Sequence, residues 1–160
     1  AAAVVKEQRY RRIIFVSSAD SARGPMAAEL LRQEDLEQEY VIDSMGIVVL
    51  FPEPANQKAE AIMKSAGMTL AQHTSRQFND ENLQDDVLIL AINEAAKSKL
   101  LAEYQNAVNV YTINEFAEDE TEIPDPYGKP LTAYGECYEV LKVLVGKVAE
   151  KLNAFAKGEK

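Results

Sequence analysis

Hydrophobic residues fall in short clusters along the chain, and the clusters alternate between two spacings. Ile13, Ile14, Phe15 and Val16 form a continuous β-branched and aromatic run closed by small polar residues, the pattern of a buried strand. After the turn-prone segment Ser-Ser-Ala-Asp-Ser-Ala-Arg-Gly, residues 25–38 are rich in helix formers. Met26, Leu30 and Leu31 share one side there, and Pro25 sits where a first helical turn tolerates it. The alternation then repeats. Residues 40–47 predict a second strand and 56–66 a helix stopped by Gly67. Residues 87–92 predict a third strand, 95–104 a helix and 107–113 a fourth strand. An acidic loop punctuated by proline and glycine follows, and then Cys137, Leu141, Leu144, Val148, Leu152 and Phe155 recur at helical spacing over 131–156.

Strands alternating with helices predict an α/β fold: one domain over 1–160 with a four-stranded parallel sheet, helices on both faces and an N-terminal tail at 1–11. Length agrees, because 160 residues at 47% hydrophobic and 27% charged suit one core and leave no room for a second full domain. In such sheets the loops at the carboxyl ends of the strands carry function. The first of them, residues 17–23, opens onto a helix amino terminus that attracts anions.

Charge narrows the partners. Seventeen basic against 26 acidic residues give a net charge of −9, which disfavours a phosphate-backbone binder, so no nucleic acid is expected. The basic cluster Lys6, Arg9, Arg11 and Arg12 reads as a solvated tail. No apolar run approaches the roughly 18 residues of a membrane span, and the start lacks the apolar stretch of a signal peptide, so no membrane association and a cytoplasmic location are expected. One cysteine and one histidine leave no disulfide and few soft ligands; no metal or cofactor is expected. Cys137 lies on the apolar stripe and reads as a packed thiol, and Glu118, Asp119, Glu120 and Glu122 read as solvated loop carboxylates.

Arg23 ends the first loop, and a guanidinium there can grip a phosphate-like dianion through two parallel hydrogen bonds. A local cap or pair is the equal alternative for that segment taken alone.

The segment FVSSADSARGPMAAELL resembles the phosphate-binding loop of the low-molecular-weight protein tyrosine phosphatases. The resemblance continues in family order through DSMGI, through AGMTLAQHTSRQF with His73, Ser75 and Arg76, and through IPDPYGKPLTAYGECYEVL, over about residues 12–155. It implies a phosphate-binding loop of Ser17, Ser18, Ala19, Asp20, Ser21, Ala22 and Arg23. It also implies a general acid at Asp125, a pocket wall at Tyr127 and a bracing network of Asp20, Ser44 and His73, with an Asp20–His73 hydrogen bond or ion pair. Leu50 and Phe51, in the variable loop after the second strand, are candidates for the facing wall. Arg76 is expected to be structural.

The chain departs from the family at four loop positions. Ser17 stands where the family has its nucleophilic cysteine, Ala19 replaces a glycine, Asp20 an asparagine, and Gly24 the serine after the arginine. A thiolate is available near neutral pH because amide dipoles, a helix end and a guanidinium lower its pKa; an alcohol is far less acidic and needs an adjacent base. The resemblance with these departures therefore implies a catalytically impaired pseudophosphatase that binds phosphate, a phosphotyrosine-containing protein, another oxyanion or a partner protein. Two alternatives stand beside it: a tyrosine phosphatase whose cysteine was mutated to serine, working through Asp125, and a scaffold whose loop binds nothing. Arsenate reduction, which relatives of this fold perform with several redox cysteines, is excluded by a loop without any.

Overall fold

A computed structural model describes residues 10–158. Four strands, β1 (Arg12–Ser17), β2 (Val41–Gly46), β3 (Val87–Ala91) and β4 (Val110–Thr112), form one parallel sheet in the order β2-β1-β3-β4. Five helices connect and cover them: α1 (Arg23–Arg32), α2 (Gln57–Ser65), α3 (Glu94–Glu103), α4 (Ile113–Ala117) and α5 (Leu131–Ala156). Every residue of β3, and Ile13 to Ser17 of β1, is buried. The absence of in-out alternation means that both faces of the central strands are covered, as expected for a parallel sheet between helices. The apolar stripe of α5 supplies much of that cover: Cys137, Leu141, Leu144, Val148 and Leu152 are fully buried, and the helix packs on α1, α2 and α4.

Chain order decides where a site forms. From β1 the chain crosses to β2 at one edge and then returns past β1 to β3, so the carboxyl end of β1 lies where successive crossovers diverge in opposite directions. Such a switch point leaves a crevice above the strand end, and Ser17 closes β1 there.

The structure corrects three of the boundaries expected from sequence. Helix α1 begins two residues before Pro25 and stops at Arg32 instead of 38. The Asn153 side chain accepts from Glu37 N–H (2.8 Å) and donates to the Asp35 carbonyl (2.9 Å), which holds the chain out of a helix, and Arg32 reaches across to the Ile42 carbonyl (2.6 Å). Strand β4 spans only Val110–Thr112. Asn109 takes a left-handed φ of 58° before it, and Thr112 with Glu115 forms a reciprocal capping box that starts α4. The Thr-x-x-Glu spacing is the sequence signal for that helix. Finally, the end of the expected tail belongs to the fold: Tyr10 is buried, Arg11 N–H donates to Asp86, and Arg12 sits in β1 paired with Asp43 at 2.7 Å. Lys6 and Arg9 lie outside the described residues.

In the acidic loop Glu118, Glu120 and Glu122 are exposed, and Asp119 alone is drawn in. Asp119 accepts from Lys147 (2.6 Å) and from the Thr121 hydroxyl and amide, which hold its carboxyl well below the usual range, and Glu118 lies 3.4 Å from Lys151. No cluster of three or more metal-ligating side chains occurs among the described residues, and no helix there is long and apolar enough to cross a membrane.

Candidate phosphate-binding site

The loop from Ser17 to Arg23 is shaped by where its carbonyls go. Ser17 O accepts from Ile47 N–H (2.9 Å), Ser18 O from Val48 N–H (3.0 Å), Ser21 O from Asn56 N–H (2.8 Å) and Ala22 O from Met26 N–H (3.0 Å). The Asp20 carbonyl accepts from His73 Nε2 at 2.7 Å. Because a trans peptide points its carbonyl and the next N–H in opposite directions, drawing these oxygens outward turns the amides of Ser18, Ala19, Ser21, Ala22 and Arg23 the other way. They face a cleft of about 330 Å³ lined by those same residues together with Ser17, Asn56, Asp125, Pro126, Tyr127 and Tyr134. Convergent amides at the start of a helix make an anion cradle.

Arg23 stands at the mouth of the cradle. Its side chain is mostly buried, and its guanidinium lies 3.7 Å from Asp125, whose own side chain is largely exposed. Asp125 is held in a turn in which its Oδ1 accepts from Tyr127 N–H (3.1 Å) and Pro126 O accepts from Lys129 N–H (2.9 Å), with Gly128 supplying a φ of 73°. The turn leaves Tyr127 83% exposed, so this ring does not pack on the core and is free to cover a ligand.

Leu50 and Phe51 are not part of the cleft lining. Ser75 accepts from Glu53 N–H (2.8 Å) and donates to the Phe51 carbonyl (3.3 Å), while Gln77 accepts from Val49 N–H (2.7 Å). These bonds pull the backbone toward the 75–77 segment and leave both apolar side chains in solvent. Two lining residues escaped the sequence reading. Asn56 reaches the cleft because its side chain caps α2 through Lys58 and Ala59 N–H while its amide holds Ser21. Tyr134 is carried in by α5, and its place on the buried stripe one turn before Cys137 was the available signal.

The far side of the loop is a polar interior. Asp20 is fully buried and takes a left-handed φ of 58°, which aspartate tolerates; Ala19 has no positive φ, so a methyl in place of the family glycine strains nothing. One Asp20 oxygen, Oδ2, accepts from Arg76 N–H (3.0 Å) and lies 3.6 Å from His73 Nε2. The hydrogen bond from His73 thus goes to the Asp20 backbone, and the carboxylate meets the ring only at ion-pair range. The Arg76 side chain pairs with Asp43 at 3.0 Å, away from the cleft. Ser44 is buried, with its Cβ 3.6 Å from where a Gly24 side chain would begin. Gly46, two residues on, gives the loop room: a Cβ there would stand 3.1 Å from the Ser18 and Ala19 backbone. The other Asp20 oxygen, Oδ1, has no hydrogen-bond partner. Burial pushes the Asp20 pKa up, outweighing Ser44, His73 and Arg76, which pull it down.

Ser17 is buried at the base of the cradle, where Asp20 N–H donates to its Oγ at 3.2 Å. The chain's one thiol, Cys137, is on α5, where burial pushes its pKa up to about 11; it is a core group.

Residues 12–157 match the family described as low molecular weight phosphotyrosine protein phosphatase. The chain belongs to this family. A probable low-molecular-weight protein-tyrosine-phosphatase of Ralstonia nicotianae is 31% identical over 146 residues, covering 91% of this chain and 98% of the relative. The structure of an arginine phosphatase from Geobacillus stearothermophilus superposes with a TM-score of 0.85 at 28% identity, covering 94% of this chain and 97% of the other. The fold is also shared with a Cys-to-Ser mutant of an arginine phosphatase with a phosphorylated active-site serine: TM-score 0.80, 24% identity, coverage 88% and 95%. This chain therefore carries the low-molecular-weight phosphatase fold with Ser17 at the base of its β1–α1 loop.

Proposed function

We propose that this chain binds a phosphoryl dianion, free or esterified to a protein side chain, and that it is catalytically impaired as a phosphatase. The carrying observation is the set of five loop amides turned toward the cleft beside Arg23, above a base occupied by Ser17 instead of a thiol. Amides and guanidinium recognise the phosphoryl oxygens whatever group stands at the base, so binding outlasts loss of the thiolate. Tyr127 and Tyr134 give the cleft aromatic walls, which suit a flat phosphorylated side chain. The relatives' names offer two such classes, tyrosine phosphate and arginine phosphate.

Inorganic phosphate or vanadate should raise the melting temperature of the protein, and Arg23→Ala should abolish the rise. A melting temperature indifferent to both anions would overturn the reading in favour of a scaffold. The second reading is a working phosphatase. The retained Arg23, Asp125 and Tyr127 arrangement favours it, because a general acid matters only where a leaving group departs. Sustained aryl phosphate hydrolysis, lost in both Arg23→Ala and Asp125→Ala, would establish that reading.

A further inference from the structure

Asp20 divides its carboxylate between two jobs, only one of which the fold explains. Oδ2 is fixed by the Arg76 amide and faces His73; Oδ1 is buried with no hydrogen bond of its own, although the Ser44 hydroxyl stands near enough to the carboxylate to favour its charged form. A buried carboxylate oxygen without a hydrogen bond is a cost that the surrounding fold does not offset. Its surroundings supply one of another kind. A side chain starting at Gly24 would meet Ser17 Oγ at 3.1 Å and Asp20 Oδ1 at 3.6 Å, so the absence of a side chain at Gly24 leaves the hydroxyl and the free oxygen bordering the same small space. Ser17 Oγ already accepts the Asp20 amide, which leaves its proton free to turn elsewhere.

We propose that Asp20 is the base that takes the Ser17 hydroxyl proton, and that Ser17 thereby accepts a phosphoryl group from a bound phosphoester and retains it. The inference rests on the phosphoryl-binding reading above. In the step, the Ser17 Oγ–P bond forms and the bond from phosphorus to the leaving oxygen breaks. The Ser17 proton passes to Asp20, and the Asp125 carboxyl gives its proton to the leaving oxygen. No oxidant, metal or second substrate is needed. The buried site helps, because an Asp20 carboxylate beside an arriving dianion gains by becoming neutral, and its raised pKa already favours that form. Discharge is slow because a serine alkoxide is a far poorer leaving group than a thiolate. The product is a phosphoserine, one per chain.

The experiment is incubation of the purified chain with 4-nitrophenyl phosphate, read by intact mass, peptide mapping and released nitrophenol. The expected result is a single added phosphoryl group on Ser17, with one equivalent of nitrophenol released ahead of a much slower steady state. Ser17→Ala should show neither. Asp20→Asn should slow the transfer by about two to four orders of magnitude while the phosphate-induced rise in melting temperature persists. A purely structural Asp20 would not impose a pH dependence. The native transfer rate should climb as the Asp20 carboxyl ionises among His73 and Arg76, and the slow rate of Asp20→Asn should lack that climb. If phosphate stabilises the protein but no phosphoserine forms, phosphoryl transfer is wrong and the binding reading survives. If neither occurs, both are wrong. Phosphoserine forming equally fast in Asp20→Asn would overturn the role of Asp20.

Discussion

The two sides of the β1–α1 loop are built on different principles. Facing the cleft are backbone amides, Arg23, Asp125 and Tyr127: groups aimed at space, supplied mostly by the main chain or by exposed turns. Behind the loop lie Asp20, Ser44, His73 and the Arg76 amide, a packed interior where function depends on which side chain occupies each position. Departures from the family pattern therefore weigh differently on the two sides. Ala19 changes nothing on the cleft side, because the amides are set by carbonyls bonded outward and its φ is not positive. On the inner side, Asp20 and Gly24 leave a carboxylate oxygen with no donor. A surface made of backbone amides survives side-chain substitution, whereas a packed polar interior does not.

The largest test of that contrast is Arg23→Ala. Removing a charged donor to a dianion should cost about 1.5–3 kcal/mol, roughly tenfold to more than a hundredfold in phosphate affinity by calorimetry, with little change of fold. Retained affinity would mean that the amides alone hold the anion. Next comes Asp20→Asn, which should stabilise the protein by about 1–3 kcal/mol at neutral pH by removing a buried charge whose Oδ1 has no hydrogen bond. A carboxyl whose pKa rises on folding binds more protons in the native than in the unfolded state, so stability falls as pH climbs through that interval. The advantage of Asp20→Asn should accordingly shrink as the pH drops to the ordinary carboxylate range, and denaturant unfolding at several pH values would show it. An advantage independent of pH would mean that folding leaves the Asp20 pKa unshifted.

A smaller gain should follow Gly24→Ser, whose hydroxyl can donate to Oδ1 for about 0.5–1.5 kcal/mol, offset by the 3.1 Å approach of its Cβ to Ser17 Oγ. By giving Oδ1 a donor, it should also slow any phosphorylation of Ser17. The smallest effect on stability belongs to Tyr127→Ala, within about 0.5 kcal/mol for so exposed a ring. Its mark should be a selective loss of affinity for phenyl phosphate relative to inorganic phosphate, and an equal loss for both would remove Tyr127 from the wall.

Much of this site was legible in the order of residues. The apolar runs at Ile13–Val16 and Val87–Ala91 are unmistakable because a strand buried on both faces has no polar positions, and the α5 stripe matches its observed bounds because a helix against a sheet repeats its apolar positions over many turns. The loop ending in Arg23 is bounded by a strand and a helix start and so shows in the residue order, while the Asp125-Pro-Tyr127 turn was marked by the resemblance and is a local turn in the structure. What it could not place were contacts between distant segments. Leu50 and Phe51 turn to solvent because Ser75 and Gln77 hold their backbone, and Tyr134 enters the cleft only because α5 packs across α1 and α2.

The sequence by itself determined the alternation of strands and helices, the loop that ends in Arg23 and the serine at its base, since each follows from local periodicity or from residue identity. Only the tertiary structure decided which way the loop amides point, because that direction is imposed by Ile47, Val48, Asn56 and His73 bonding to the carbonyls from elsewhere in the chain. Only it, too, left Asp20 Oδ1 without a partner beside Ser17, because burial and hydrogen bonding are properties of what surrounds an atom.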